Sequence, residues 1–271
     1  LAVITNIGTA HIGNLGSREN ILKAKLEILE GLNGPVIINN DNDLLNKWRQ
    51  EEKHSSDIIT IGIENTSDYQ ATNLKYSKNG SSYSYKDQKI AINVIGKHFI
   101  YNSLIALAIG SIYQISLPDI LKSLKNIPLE PRRMEVIKTS TSTIIDDTYN
   151  ASYDSIYYAL EVLSSFSGRK IAVLGDILEL GDFGEDIHRK IGPLIIQNKI
   201  DILVTVGPLA NFIHEEALKL GFNSGNAHHF KDNSEAIAFI NLIKENTDTI
   251  LVKASNGMHF SEIVSAIKEE N

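Results

Sequence analysis

The chain has no cysteine among its 271 residues, which removes disulfides, thiolate metal sites and cysteine nucleophiles and suits a reducing compartment. No apolar run reaches about 18 residues, so no membrane-spanning helix is expected. The first residues also lack the charged segment and apolar stretch of an export leader. A cytoplasmic chain with no membrane partner is the expectation. Positive charge is in the minority, with 26 Lys and Arg against 33 Asp and Glu, and the formal charge of -7 argues against a broad nucleic-acid footprint. Anionic ligands must then be met by local basic groups. Neither G-x-G-x-x-G nor G-x-x-x-x-G-K-[ST] occurs in the sequence.

What is present is an ordinary globular composition, 42% hydrophobic and 22% charged, in a length that suits two domains of about 130 residues. Leu1 to Ile4 is already an apolar, strand-like run with no capping turn or start methionine before it, so the chain is expected to begin partway into a longer protein. Ser17 is placed to cap a helix running to about Glu30, with Gly31 ending it. Pro35 to Ile38 and Ile58 to Ile63 read as short buried strands, and Leu74 to Val94 alternates around Asn79-Gly80 as a β-meander. Beyond Gly96, Ile100, Leu104, Leu107 and Ala108 recur at helical spacing, and a second helix follows with Pro118 in its first turn. The stretch from Asn126 to Arg133, with Pro128 and Pro131, reads as a linker, which sets the domains at 1–130 and 131–271. After it, the apolar runs Ile171 to Leu174, Ile202 to Val206 and Ile250 to Val252 each precede a segment of helical period. That alternation predicts an α/β domain with a mostly parallel sheet, helices on both faces and ligands at the strand carboxyl ends. Asp232 and Glu235 form a D-x-x-E helix cap.

Two residues stand out by position. On a helical wheel Lys25 falls near the centre of an arc made by Ile21, Leu22, Ala24, Ile28, Leu29 and Leu32, where an ammonium either snorkels to water or is held for a purpose. His11 lies in the polar loop, with Thr5, Asn6 and Gly8, that follows the first strand. A lone loop histidine reads as a surface residue or as a metal ligand.

The run V-I-T-N-I-G-T-A-H from Val3, followed by S-R-E-N-I-L-K-A-K-L-E-I from Ser17, resembles the second half of the ATP-binding domain of the Mur ligase family. P-R-R-M-E-V (Pro131 to Val136), D-D-T-Y-N-A-S (Asp146 to Ser152), L-G-D-I-L-E-L-G (Leu174 to Gly181) and His188 extend the resemblance nearly end to end. It implies part of a P-loop-type ATP-binding domain, without its phosphate loop, followed by a Rossmann-like doubly wound domain. It also implies an ATP- and magnesium-dependent amide ligase of peptidoglycan precursor synthesis. The later motifs point within the family to the activity that adds D-alanyl-D-alanine to UDP-N-acetylmuramoyl-tripeptide. By the same resemblance, His11 and Lys25, the latter as a carbamate, are the expected catalytic and magnesium-holding residues. Asn102, Arg133 and Asp147 are the expected nucleotide contacts, and Tyr149, Asn150, Asp176 and Glu179 the expected substrate contacts. A monomer is expected, and this stretch by itself is expected to be inactive. Phe99, Ser152-Tyr153 and Asn256 depart from the family pattern, where Asn, Asn-Pro and Arg are usual. Another Mur-type or folylpolyglutamate-type ligase, or a non-catalytic nucleotide-binding relic, stays open as an alternative.

Overall fold

A computed structural model describes residues 1–51, 57–77, 80–128 and 130–268. Its first part runs β1 (Ala2–Ile4), α1 (Ile12–Leu15), α2 (Arg18–Leu26), β2 (Val36–Asn39), α3 (Asp43–Glu51), β3 (Ile58–Gly62), β4 (Tyr69–Gln70), β5 (Thr72–Ser77), β6 (Gly80–Tyr85), β7 (Gln88–Ile92), α4 (Lys97–Ile112) and α5 (Leu117–Leu124). The second runs β8 (Glu135–Lys138), β9 (Thr143–Asp146), α6 (Tyr153–Ser164), β10 (Lys170–Gly175), α7 (Gly184–Arg189), α8 (Gly192–Gln197), β11 (Ile202–Val206), α9 (Asn211–Lys219), β12 (Ala227–Phe230), α10 (Asn233–Ile243), β13 (Thr249–Lys253) and α11 (Ser261–Lys268). Two compact units result. One comprises Leu1–Gly8 and Leu15–Pro128, and the other comprises Thr9–Asn14 with the described residues from 130 onward.

In the first unit β1-β2-β3-β4 form a parallel sheet and β5-β6-β7 an antiparallel one. Helix α4 has apolar residues around most of its circumference because it is covered on more than one side. Its Ile100, Leu104 and Leu107 share a core with Ile37 and Ile61 of the parallel sheet and Tyr83, Ile90 and Ile92 of the meander. The phenol of Tyr83 sits in that core 2.7 Å from the Ser103 hydroxyl, and burial pushes its pKa up to about 12. Gly80 cannot carry a side chain: its φ is 135° and a Cβ would lie 2.0 Å from the Ile92 carbonyl oxygen. The other half of the expected Asn79-Gly80 turn lies outside the described residues.

The second unit is a six-stranded sheet of order β12-β11-β10-β13-β9-β8, parallel except for the edge strand β8. Its central strands are apolar at nearly every position because both faces are covered. Ile171, Val173, Val204, Ile250 and Val252 pack in one core with Ala236 and Ile240 of α10 and Ile263 of α11. The alternate residues Ala172, Leu174, Leu203 and Leu251 are equally buried on the face that carries α6 and α9. Strand β13 fills the slot between β10 and β9, so the carboxyl ends of β9, β13, β10 and β11 lie side by side. Asp232 caps α10 as expected, its side chain accepting the Glu235 N–H, and Ser152 caps α6 in a reciprocal box with Ser155.

The capped helix at Ser17 forms, but it is α-helical only to Leu26 and continues as a 3-10 turn to Leu29. The apolar arc around Lys25 is therefore only partly covered. Ile21 is buried, Ile28 is 54% exposed, and Lys25 is an exposed residue rather than one at the centre of a buried stripe. The tighter 3-10 winding swings residues 27 to 29 off the wheel that the uninterrupted helix assumed.

Candidate functional site

Four strand ends of the second unit carry the groups able to do chemistry. At the end of β9, Asp146 is buried and turns the chain outward by accepting the Thr148 N–H and hydroxyl; burial is the chief cause of its raised pKa. Asp147 follows, and the structure ties both of its oxygens. Oδ1 accepts the Met134 N–H at 3.1 Å, and Oδ2 lies 2.5 Å from Nζ of Lys253, the last residue of β13. Lys253 also donates to the Asn150 carbonyl at 2.9 Å while its side chain is only 2% exposed. A buried ammonium is tolerated here because it meets an anion and a carbonyl at close range. Beside this pair the Arg133 guanidinium stacks 3.8 Å from the centre of the Tyr149 ring, and Arg132 reaches the same ring at 5.8 Å. The two arginines, Tyr149, Glu130 and Pro131 line an open cavity of about 450 Å³.

At the end of β10 the loop from Asp176 to Gly181 is pinned residue by residue. Asp176 is 3% exposed and its Oδ1 accepts the Ala210 N–H that opens α9, at 2.7 Å. Gly207, at the end of β11, passes so close that a Cβ there would lie 2.6 Å from that carboxylate, and its φ of 104° also favours glycine. The Ile177 N–H donates to Nε2 of His188, and the Leu178 N–H donates to the Ser255 hydroxyl. Glu179 then turns through a left-handed φ of 63° and places its carboxylate oxygen 2.6 Å from Nδ1 of His11, itself at φ 62°. Two non-glycine residues in that region are held against their intrinsic preference by about 1–3 kcal/mol each. His11, Asn150, Leu178, Glu179, Ser255 and Asn256, all in the second unit, help line a cavity of about 280 Å³.

The structure thus brings Asn150, Glu179 and His11 together at one cavity and Arg133 with Tyr149 at another. Asp176 reaches neither. Proposed from its motif as a substrate contact, it is buried under Gly207 and shapes the loop from inside the fold.

In the first unit the polar groups again follow strand ends. Lys25 Nζ donates to the Asn6 carbonyl at 2.7 Å, and burial around the ammonium lowers its pKa although the residue as a whole is exposed. Asn42 bridges Asn6 and Ile7 while its own oxygen accepts the Leu45 N–H at the start of α3. Asp41 accepts the N–H groups of Ile63, Glu64 and Asn65 and the Tyr101 hydroxyl. Asn102, the next residue along α4, is exposed, and Lys97 in the first turn of that helix pairs with Glu64 at 2.5 Å.

Among the described residues no three His, Asp or Glu side chains cluster to make a complete metal site. His11 offers one ring nitrogen beyond its bond to Glu179. Magnesium commonly takes only one or two protein ligands and fills its octahedron with water and phosphate oxygens. Within the second unit, His11 is a donor that suits such a partial site.

Sequence reading passed over Asp41, Lys253 and the framing roles of His188 and Ser255. Lys253 had a visible signal, a lone cation closing the apolar run Ile250 to Val252. Asp41, His188 and Ser255 make contacts 11 to 77 residues away, which local pattern does not carry.

Comparison with known proteins adds a second line of observation. Residues 1–110 match the Mur ligase middle domain, and residues 132–256 match the family described as Mur ligase, glutamate ligase domain. The chain is 38% identical over 278 residues to the UDP-N-acetylmuramoyl-tripeptide--D-alanyl-D-alanine ligase of Bacillus subtilis, with 99% of this chain and 59% of that protein covered. Among solved structures, MurF from Acinetobacter baumannii superposes with a TM-score of 0.88 at 28% identity, over 99% of this chain and 60% of that one. MurF from Thermotoga maritima, solved in complex with ADP, shares the fold with a TM-score of 0.85 at 22% identity, over 98% and 61%. The chain therefore spans about three fifths of the length of the relatives it matches.

Proposed function

The chain belongs to the Mur ligase family, and from that premise we infer that it is the nucleotide- and amine-handling part of an amide ligase that joins D-alanyl-D-alanine to UDP-N-acetylmuramoyl-tripeptide. The observation that carries this reading is the 38% identity over 99% of the chain to a protein named for that reaction. Residues 1–130 are assigned to the ATP-binding domain and 131–271 to the ligase domain. A reaction that consumes ATP and a UDP-linked precursor belongs in the cytoplasm.

A carboxylate is a poor acyl donor, so the tripeptide carboxylate first takes the γ-phosphoryl group of ATP, releasing ADP. The dipeptide amine then attacks the acyl carbon, the new C–N bond forms, the C–O bond to phosphate breaks, and the amine proton leaves to a base or to water. By the family resemblance, His11 and Lys25, the latter as a carbamate, are the residues that would hold magnesium, which would supply charge neutralisation.

The residues of the chain do the positioning. Arg133, fixed against Tyr149, offers a planar cation to the nucleotide. Asp147, clamped by Lys253 and Met134, keeps a lone pair on each oxygen for a ribose hydroxyl. Asn102 presents its exposed amide to the adenine edge. Glu179 presents an anionic oxygen, with the Asn150 amide nearby, where the ammonium of an incoming amine needs an acceptor. Incubating the full-length protein with ATP, the tripeptide precursor and D-alanyl-D-alanine should release ADP and phosphate in step with a pentapeptide product. Absence of that product, or preference for a single amino acid over the dipeptide, overturns the reading.

A further inference from the structure

His188 has no exposed surface and lines neither of the two cavities described above. Its two ring nitrogens face opposite ways into the backbone. Nε2 accepts the Ile177 N–H at 3.0 Å, so that nitrogen carries no proton, and Nδ1 must carry it and donate to the Gly184 carbonyl at 2.6 Å. One neutral tautomer is therefore selected by two contacts, one on the loop that leaves β10 and one four residues back in its own helix, α7. Asp176 and Leu178, on either side of Ile177, are tied to other segments, to Ala210 at the start of α9 and to Ser255 beyond β13. Three consecutive residues are thus fixed to three separate segments. The chain then turns at Glu179, which lines the 280 Å³ cavity with Asn150 and Asn256.

We propose that His188 is a positioning residue for the amine substrate: as a neutral Nδ1–H imidazole it holds the Ile177 N–H, and through it sets where Leu178 and Glu179 meet the incoming amine. This rests on the function proposed above. His188 touches no substrate and moves no proton. Its effect falls on the cavity at Glu179 and leaves the Arg133–Tyr149 cavity alone, because no hydrogen bond of His188 reaches that side.

The two nearest amides separate its two contacts. Asparagine places a donor near Nδ1 and nothing at Nε2, whereas glutamine reaches the Nε2 position with an acceptor. In the full-length protein His188→Asn should raise KM for the dipeptide at least tenfold and shift KM for ATP less than twofold. His188→Gln should restore the dipeptide KM to within about threefold of wild type. Amide hydrogen exchange should quicken at residues 177 to 180 in the Asn variant and stay slow in β10 and β11. Equal damage by Asn and Gln, equal shifts in both KM values, or unchanged exchange at Ile177 in the Asn variant overturns the proposal. Failure of the wild-type protein to form amide product overturns the parent function, and with it the assignment of this loop to an amine. The exchange pattern would still tell whether the clip exists.

Discussion

Nζ of Lys253 lies 2.5 Å from Oδ2 of Asp147, joining the ends of β13 and β9 by an ion pair whose lysine is 2% and aspartate 13% exposed. Desolvating both groups is unfavourable, and the pair persists because Met134 and Asn150 satisfy what the two charges leave over. Removing one partner strands the other. Lys253→Met should lower stability by about 3–5 kcal/mol and weaken nucleotide binding, since Asp147 loses its fixed orientation. Urea unfolding and titration with ADP test both parts. A midpoint within about 0.5 kcal/mol of wild type would show that the pair holds nothing in place.

Asp41 plays a comparable part in the first unit. Burial pushes its pKa up, but the N–H groups of Ile63, Asn65 and Glu64 and the Tyr101 hydroxyl outweigh burial and leave it lowered. A carboxylate with a lowered folded pKa contributes stability that is present above its unfolded value and lost as pH falls through the folded one. Asp41→Ala should therefore destabilise by about 3 kcal/mol at neutral pH, as hydrogen bonds to a charged acceptor contribute about 1.5–3 kcal/mol each and the exposed ones less. The deficit relative to wild type should shrink as pH falls toward 3. A deficit independent of pH would mean that lost packing, and not the charge, is responsible.

What was legible beforehand follows from which elements bury both faces. The strands at Ile171, Ile202 and Ile250 were readable because a parallel sheet covered on both sides writes itself as continuous apolar runs. β8, β9 and β12 were not, being four residues each, with Glu135 and Lys138 on an edge strand and two histidines inside β12. The family motifs marked Asn150 and Glu179 as substrate contacts, and the fold brings both to one cavity. The inward turn of Asp176 could not be read, because it depends on Gly207 crossing above it, 31 residues further on in the chain.

His188, His214, His228 and His229 all have pKa values lowered, in each case first by burial. The second cause at His214 is its neighbour His229, with ring centres 6.0 Å apart, while Asp176 draws the pKa of His188 and His229 partly back up. With folded values below the unfolded value of about 6.5, stability is complete above that pH. It is lost as pH falls, because the unfolded chain binds protons first. The fully buried His188 alone gives a slope of up to about 1.4 kcal/mol per pH unit, and the half-buried three add less. The melting temperature should fall from about pH 7 to 5.5, less steeply in His188→Gln, which cannot titrate. Identical slopes in variant and wild type would remove His188 from the acid response.

Lys25 joins the periodicity reading, the family motif and the structure, and the three agree on the ammonium more than on the residue. Its side chain is exposed overall, yet Nζ is drawn to the Asn6 carbonyl at 2.7 Å, where desolvation favours the neutral amine. Only that form adds carbon dioxide; the addition releases one proton from the neutral amine, or two counted from the ammonium, and leaves an anion in place of the cation. The Asn6 carbonyl repels such an anion, so a carbamate needs a cation beside it. In the full-length protein with magnesium, nucleotide and carbon-13 bicarbonate, a carbamate resonance should therefore appear that Lys25→Ala lacks and that chelation of the metal erases. Lys25→Ala should cut turnover at least a hundredfold while the melting temperature moves little, since an exposed lysine with one hydrogen bond contributes about 1 kcal/mol or less. A variant that keeps normal turnover, or a wild-type protein with no carbamate signal under those conditions, would return Lys25 to the role of a solvated helix residue.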